Sequence, residues 1–212
     1  MKVQFAPEYS QSSYQEMLRQ EFAIGDYIHF NQKSENGVSE LARKHMITLM
    51  EDLNRMKDYK EDTLFLAASI ADRYLVNLAV KRASAPCLIR LAIVSILMAA
   101  KLEQPIQPSF NRMVKLVAEQ WDVSLTRQDL LDLEESIIRT LDFDLRSVSP
   151  LLFLERYQRV FQLHKETADY QSKVIGSLSR QFCKSFLRQQ AYLSMKPSQV
   201  AAAALLFSIN LC

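Results

Sequence analysis

The 212-residue chain is long enough for one large domain or two small ones. Only three glycines and six prolines disfavour a sheet protein built on tight turns, and a formal net charge of +2 leaves no electrostatic footprint for nucleic acid and no polybasic membrane anchor. The three cysteines, Cys87, Cys183 and Cys212, are odd in number and widely spaced, which suits free thiols in a reducing compartment better than a disulfide framework or a zinc site.

Residues 1–10 read as irregular and without the apolar core of a signal peptide, and no later run reaches the length of a membrane span. Ser10 to about Phe30 carries Tyr14, Met17, Leu18, Phe22, Ile24 and Ile28 at loosely helical spacing. The polar stretch Asn31–Gly37 is a turn or linker. Ser39 is placed as an N-cap, and Ala42, Met46, Leu49, Leu53 and Met56 then recur as the core face of an amphipathic helix. After the charged break MKDYKED comes TLFLAASIADRYLVN, nearly all apolar until Asp72 and Arg73. Asp72 shares a stripe with Phe65, Ala68 and Leu75, so it needs a partner inside the fold.

The stretch Pro86–Lys101, PCLIRLAIVSILMAAK, reserves no face for water between Leu91 and Ala100. A helix apolar all round is enclosed by other helices or by lipid, and this run is about half of the roughly 20 residues a bilayer span needs. It reads as the central helix of an all-helical domain, opened by Pro86 and ended by Lys101, where a cation suits the helix dipole. Past the Pro-punctuated loop EQPIQP, Phe110, Val114, Val117 and Trp121 mark a further amphipathic helix. Thr126 and Asp129 form a capping-box pattern that opens TRQDLLDLEESIIRTL, in which Glu134 interrupts the apolar row of Leu130, Ile138 and Leu141.

Phe143 to Ser149 reads as a hinge to a second unit. Ser149–Pro150 opens a helix with Phe153, Tyr157, Val160 and Phe161 on its core face, and Thr167–Leu187 follows with Ile175, Leu178, Phe182 and Phe186. Then PSQVAAAALLFSI echoes the Pro86 helix in being proline-led, uncharged and rich in alanine. If the echo is a repeated unit, the second copy lacks its fourth and fifth helices, which implies a cut chain or an atypical tail. The organisation expected is residues 1–37 as an N-terminal segment with a helix, 38–145 as a five-helix domain and 146–212 as a partial second unit.

Chemistry-bearing motifs are scarce. Neither GxGxxG nor GxxxxGK[ST] occurs, and His29, His45 and His164 have no Cys or His at ligand spacing, so no metal site and no cofactor site is expected. Cys87 reads as a small buried apolar residue, and Glu135 as the partner of Arg139. What remains is oddly placed charge: Arg43 beside a core face, Asp72 and Glu134 on apolar stripes, and Lys101 at the end of the central helix. These groups read either as an internal ion-pair network or as rim groups awaiting a partner's backbone.

The order of Arg43, TLFLAASIADRYL (Thr63–Leu75), MAAKLEQPIQP (Met98–Pro108) and LEESIIRTLDFDL (Leu133–Leu145) resembles the cyclin family, densely over 39–145 and more weakly over 149–211. The resemblance implies an all-α cyclin fold: a five-helix cyclin box, a partial second cyclin-like unit, and an N-terminal helix that packs on the box and touches a kinase. It implies a regulatory subunit with no catalysis of its own, which binds and activates a cyclin-dependent serine/threonine protein kinase in cell-cycle control, in nucleus or cytoplasm. Lys101 and Glu134 match the family's lysine and glutamate and are expected to bond kinase backbone, with Ala99 and Leu102 lining the groove for the kinase's C-helix. Arg43, Asp72 and Arg73 are expected to form the internal charge network, and Ala42, Met46 and Leu49 are a candidate face for docking kinase substrates. Thr48 and Gln104 stand where family members commonly carry acids. The alternatives are a transcription-related cyclin, or a TFIIB-like scaffold; near-neutral charge and the lack of a CxxC count against promoter binding.

Overall fold

The computed structural model describes residues 11–21, 38–81, 83–106, 108–121, 124–163 and 169–212. Residues 1–10, Phe22 to Gly37, His164 and the Thr167 start of a helix lie outside the described residues, as do the expectations that fall on them. All regular structure among the described residues is helical: α1 (residues 11–21), α2 (Glu40–Met56), α3 (Glu61–Val80), α4 (Leu88–Glu103), α5 (Phe110–Trp121), α6 (Arg127–Thr140), α7 (Pro150–Leu163), α8 (Asp169–Leu187), a 3-10 turn (Gln190–Ser194) and α9 (Pro197–Leu211).

Local chemistry sets most of the boundaries. Ala42 N–H donates to Ser39 Oγ at 3.2 Å to start α2. Asn54 Nδ2 donates to Tyr59 O at 3.1 Å and braces the turn into α3, where Asp58 takes the left-handed φ of 51°. Thr126 and Asp129 exchange bonds of 3.0 and 3.1 Å in the capping box that opens α6. At α4 the expectation shifts: the helix begins at Leu88 with Cys87 as N-cap, so Pro86 sits one residue ahead of the cap.

Helix α4 is the centre of the first unit, enclosed mainly by α2, α3 and α6. Every residue from Leu91 to Ala100 is buried, and Ala92, Ser95, Ala99 and Ala100 have no exposure, so neighbouring backbones close over them. Each large side chain sealed there, such as Ile93, Ile96 or Leu97, contributes roughly 1.5–3 kcal/mol by burial. Helix α3 is 20 residues long and apolar enough to span a membrane, contrary to the expectation that no run reaches that length. Its apolar window is 72% buried among the other helices.

The second unit repeats the scheme with α9 against α7 and α8. One face of α9, with Leu206, Phe207 and Leu211, is exposed. Several core rows run one step away from the stripes read in sequence. In α2 the buried row is Arg43, Met46, Ile47, Met50 and Leu53, while Met56 is 41% exposed. In α5 Met113 joins Val117 in place of Val114, and in α8 the row is Ile175, Ser179, Cys183 and Leu187. Apolar side chains lie on both neighbouring stripes of these helices, and packing selects the row that fits the adjacent helix.

Charge joins the two units. Arg43, 2% exposed, donates to both oxygens of Asp72 at 2.9 and 2.8 Å, and its Nη1 donates to the carbonyls of Leu187 at 3.0 Å and Gln189 at 3.2 Å. Burial alone would lower the Arg43 pKa, but the Asp72 charge and hydrogen bonds hold it above its usual value. Arg73 points elsewhere: its Nη2 donates to Asp144 O at 2.7 Å, tying α3 to the segment between the units. On the outer side of the seam, Lys184 and Arg180 of α8 meet Glu61 at 2.6 and 3.6 Å, and Arg188 meets Glu51 at 3.4 Å.

The Arg43–Asp72 pair is buried, so losing one partner leaves an uncompensated charge in the interior. Asp72→Ala is expected to lower the urea-derived unfolding free energy by about 3–5 kcal/mol. Glu51 behaves in the opposite sense. Burial raises its carboxyl pKa, and the nearby Arg188 charge offsets this only in part. The folded state therefore binds the proton more tightly than the unfolded chain, and the stability present below the unfolded carboxylate value is lost as pH rises from there through the raised folded value. Glu51→Gln is expected to raise the denaturant midpoint at about pH 7 and to leave it unchanged at about pH 3, below both values.

Candidate functional site

Lys101 lies in the last turn of α4, where the helix dipole favours an ammonium. Glu134 lies in α6, which packs on α4. The two side chains meet at the surface end of this contact, Lys101 Nζ donating to Glu134 Oε1 at 2.5 Å. They are 30% and 14% exposed, so the pair sits at a rim, neither sealed in the core nor free in solvent. Lys101 Nζ also lies 4.5 Å from the Phe110 ring centroid, a cation–π contact that fixes the ammonium from a second side.

Apolar surface surrounds the pair. Leu102, next to Lys101, is 45% exposed, and Leu131, Ile138 and Phe143 line a shallow groove together with Glu134, Glu135 and Arg139. Phe143 is 77% exposed. It follows Asp142 in a second consecutive left-handed conformation, with φ of 51° and 62°. A bulky residue in that region costs roughly 1–2 kcal/mol through the clash of Cβ with the backbone carbonyl. Backbone bonds hold the turn, among them Phe143 N–H to Ile138 O at 3.0 Å and Asp144 N–H to Leu141 O at 3.0 Å. The outcome is a strained turn that holds an aromatic ring out in water beside a charged pair, an arrangement that serves a partner better than it serves the fold.

Of the expected groove residues, the structure brings Lys101 and Glu134 together, and Leu102 stands exposed beside them. Ala99 does not line the groove: it has no exposure, because it faces the helices that enclose α4. Of the internal network, Arg43 and Asp72 meet each other, whereas Arg73 joins Asp144. The face of Ala42, Met46 and Leu49 is also corrected. Met46 is 2% exposed and belongs to the core, leaving only Ala42 and Leu49 half-buried at its edge. Cys87 is exposed as the α4 N-cap, not buried, while Cys183 is sealed and burial pushes its thiol up to about 12. Gln104 donates to the Thr63 hydroxyl at 2.6 Å, an uncharged tie from the end of α4 to the start of α3. Among the described residues, no group of three or more His, Cys, Asp or Glu is placed to hold a metal ion.

The residue missed in sequence is Phe143, read there only as the start of a hinge. Its signal was present, since an aromatic residue between two aspartates in a polar joint has no core to enter. The N-terminal helix has contacts that the sequence did not specify. Among the described residues, 11–21 make contacts with the second unit: Tyr14 packs edge-on against Phe153 and Tyr157, and Glu21 meets Ser198.

The exposed ring makes a stability test possible. Phe143→Gly removes the left-handed penalty and little packing, and is expected to raise the urea-derived unfolding free energy by about 1 kcal/mol. A clear loss of stability would mean that the ring is packed more closely than its exposure implies.

Comparison with known proteins adds family likeness to this geometry. Residues 11–146 match the family model described as "Cyclin, N-terminal domain", and residues 148–212 match "Cyclin, C-terminal domain". The chain is 26% identical over 206 residues to a G2/mitotic-specific cyclin-B3 of Gallus gallus, covering 96% of this chain and 46% of that protein. It is 28% identical over 172 residues to Cyclin-B2-2 of Oryza sativa subsp. indica, covering 81% and 38%. The chain thus spans less than half the length of these curated relatives. Among solved structures, a viral cyclin from herpesvirus saimiri superposes with a TM-score of 0.68 at 18% identity, over 82% of this chain and 71% of that one. A chain of the CAK complex of Chaetomium thermophilum bound to ATP-gamma-S superposes with a TM-score of 0.65 at 16% identity, over 97% and 64%.

Proposed function

The chain belongs to the cyclin family, and we propose that it is a cell-cycle cyclin, a regulatory subunit that binds and activates a cyclin-dependent protein kinase and performs no catalysis itself. The observation that carries this reading is the Lys101–Glu134 pair at the rim of α4 and α6, beside the outward ring of Phe143. In the free chain each charge is the other's partner. On docking, the ammonium donates to a kinase backbone carbonyl and the carboxylate accepts from a kinase N–H, while Phe143, Leu102 and Ile138 receive the apolar face of the kinase's C-helix. Pre-pairing lowers the cost of waiting in water, because neither charge is half-buried alone. Pressing the C-helix inward completes the kinase's own Lys–Glu pair and helps order its activation loop, which is how such a subunit raises phosphoryl transfer.

The test is titration of the chain into a panel of purified cyclin-dependent kinases, reading affinity and phosphorylation of a peptide substrate. Lys101→Ala or Glu134→Ala is expected to weaken binding by roughly 2–5 kcal/mol, since each leaves a desolvated charge without its partner. Phe143→Gly is expected to weaken binding by about 2 kcal/mol or more while stabilising the free chain. Activation of no kinase in the panel, or wild-type affinity in the Lys101→Ala, Glu134→Ala double variant, would overturn the reading.

A further inference from the structure

Helix α9 has a local tie at its start, Lys196 N–H donating to Gln199 Oε1 at 3.1 Å, which leaves the first-turn donors of the helix to be met from elsewhere. The residue before Pro197 is Lys196, whose ammonium has no acceptor atom, and no other neighbour in sequence meets the N–H of Ser198. That N–H donates instead to Glu21 Oε1 at 3.1 Å, and the Ser198 hydroxyl donates to the same oxygen at 2.7 Å. Glu21 belongs to α1, 177 positions away, and is 1% exposed. A carboxylate buried to that degree needs strong compensation, supplied here by two donors and by the positive end of the α9 dipole. Packing along α1 works in the same direction. Tyr14 lies 6.2 Å edge-on from Phe153 and 6.5 Å from Tyr157, and the Arg156 guanidinium lies 4.4 Å over the Tyr14 ring.

We propose that Glu21 is a positioning residue. Its carboxylate caps α9 from a distance, and this clasp fixes the N-terminal helix on the second unit, so that helix and cyclin box meet the kinase as one body. The proposal rests on the kinase-subunit reading above. Because α9 is the helix on which α7 and α8 pack, the docking of α1 and the order of the second unit's first α9 turn are linked. The polar outer face of α1, with Gln15, Glu16 and Arg19 exposed, is thereby held at a set angle to the rest of the surface.

Three variants of the full chain separate clasp from fold. Glu21→Ala removes the cap. Glu21→Gln keeps an oxygen that accepts from Ser198. Ser198→Asp puts a new carboxylate into the first turn of α9, so the helix keeps a negative group at its N-terminus while Glu21 is repelled. Amide hydrogen exchange is followed in the free chain, and kinase affinity is measured in parallel. In Ser198→Asp, residues 11–21 are expected to exchange roughly tenfold faster, with α7–α9 within about twofold of wild type. In Glu21→Gln, both regions are expected to stay within about threefold of wild type. Kinase affinity should fall roughly tenfold in Glu21→Ala and Ser198→Asp and recover in Glu21→Gln.

Wild-type protection of residues 11–21 in both Glu21→Ala and Ser198→Asp would overturn the clasp. Release of α1 with unchanged kinase affinity would overturn the positioning role. Lys101→Ala in the same titration identifies the other failure: if it also leaves affinity unchanged, the kinase-subunit reading has failed, and exchange still decides the clasp.

Discussion

The two halves of this molecule are joined through one buried cation. Arg43 sits in the first helix of the five-helix domain, donates to both oxygens of Asp72 from the next helix, and through Nη1 donates to the carbonyls of Leu187 and Gln189 at and just beyond the end of α8. A guanidinium suits this place because its planar fork reaches a carboxylate and backbone at once; an ammonium offers a point charge without that geometry. Buried, the pair sets register more than it adds stability, since desolvation cancels much of the Coulomb gain. The charges along the outer seam are a third exposed or more, apart from Glu51, and add modest energy. The second unit's position relative to α2 and α3 therefore rests on Arg43 and on apolar packing.

That rigidity is what makes a surface site possible at the far end of α4. Because α4 has no freedom to shift among its neighbours, Lys101 and Glu134 are held at one separation, and Phe110 guards the ammonium from above. The strain at Asp142 and Phe143 is affordable on the same ground: α6 is anchored by its capping box at one end and by α4 along its length. A fold with a looser centre would relax that turn and let the ring fall back onto the surface. The same logic runs through the second unit, where a carboxylate from α1 accepts from the Ser198 N–H in the first turn of α9.

Local signals in the chain were read well where the physics is local. Ser39, Thr126 with Asp129, and Pro150 and Pro197 announced helix starts, because a cap depends on atoms three residues away. The run from Leu91 to Ala100 announced a central helix, because no water-facing side exists in it. Stripes were read less well. Of the α2 row read from periodicity, Met46 and Leu53 are buried, whereas Leu49 and Met56 give way to Ile47 and Met50, and only the neighbouring helix distinguishes them. For the same reason Ala99, placed on the groove by motif position, is enclosed, Met46 follows its periodicity into the core rather than its motif position, and Cys87 is out in water.

Composition, periodicity and caps alone determined that this chain is helical, that two uncharged helices preceded by prolines echo one another, and that a few charges stand where no solvent was expected. Those properties follow from interactions within one or two helical turns. Tertiary structure alone decided which distant charges meet, that Arg73 turns to Asp144, and that Glu21 ends up on Ser198. Such pairings depend on helices far apart in sequence being brought side by side, and neither period nor spacing along the chain carries that distance.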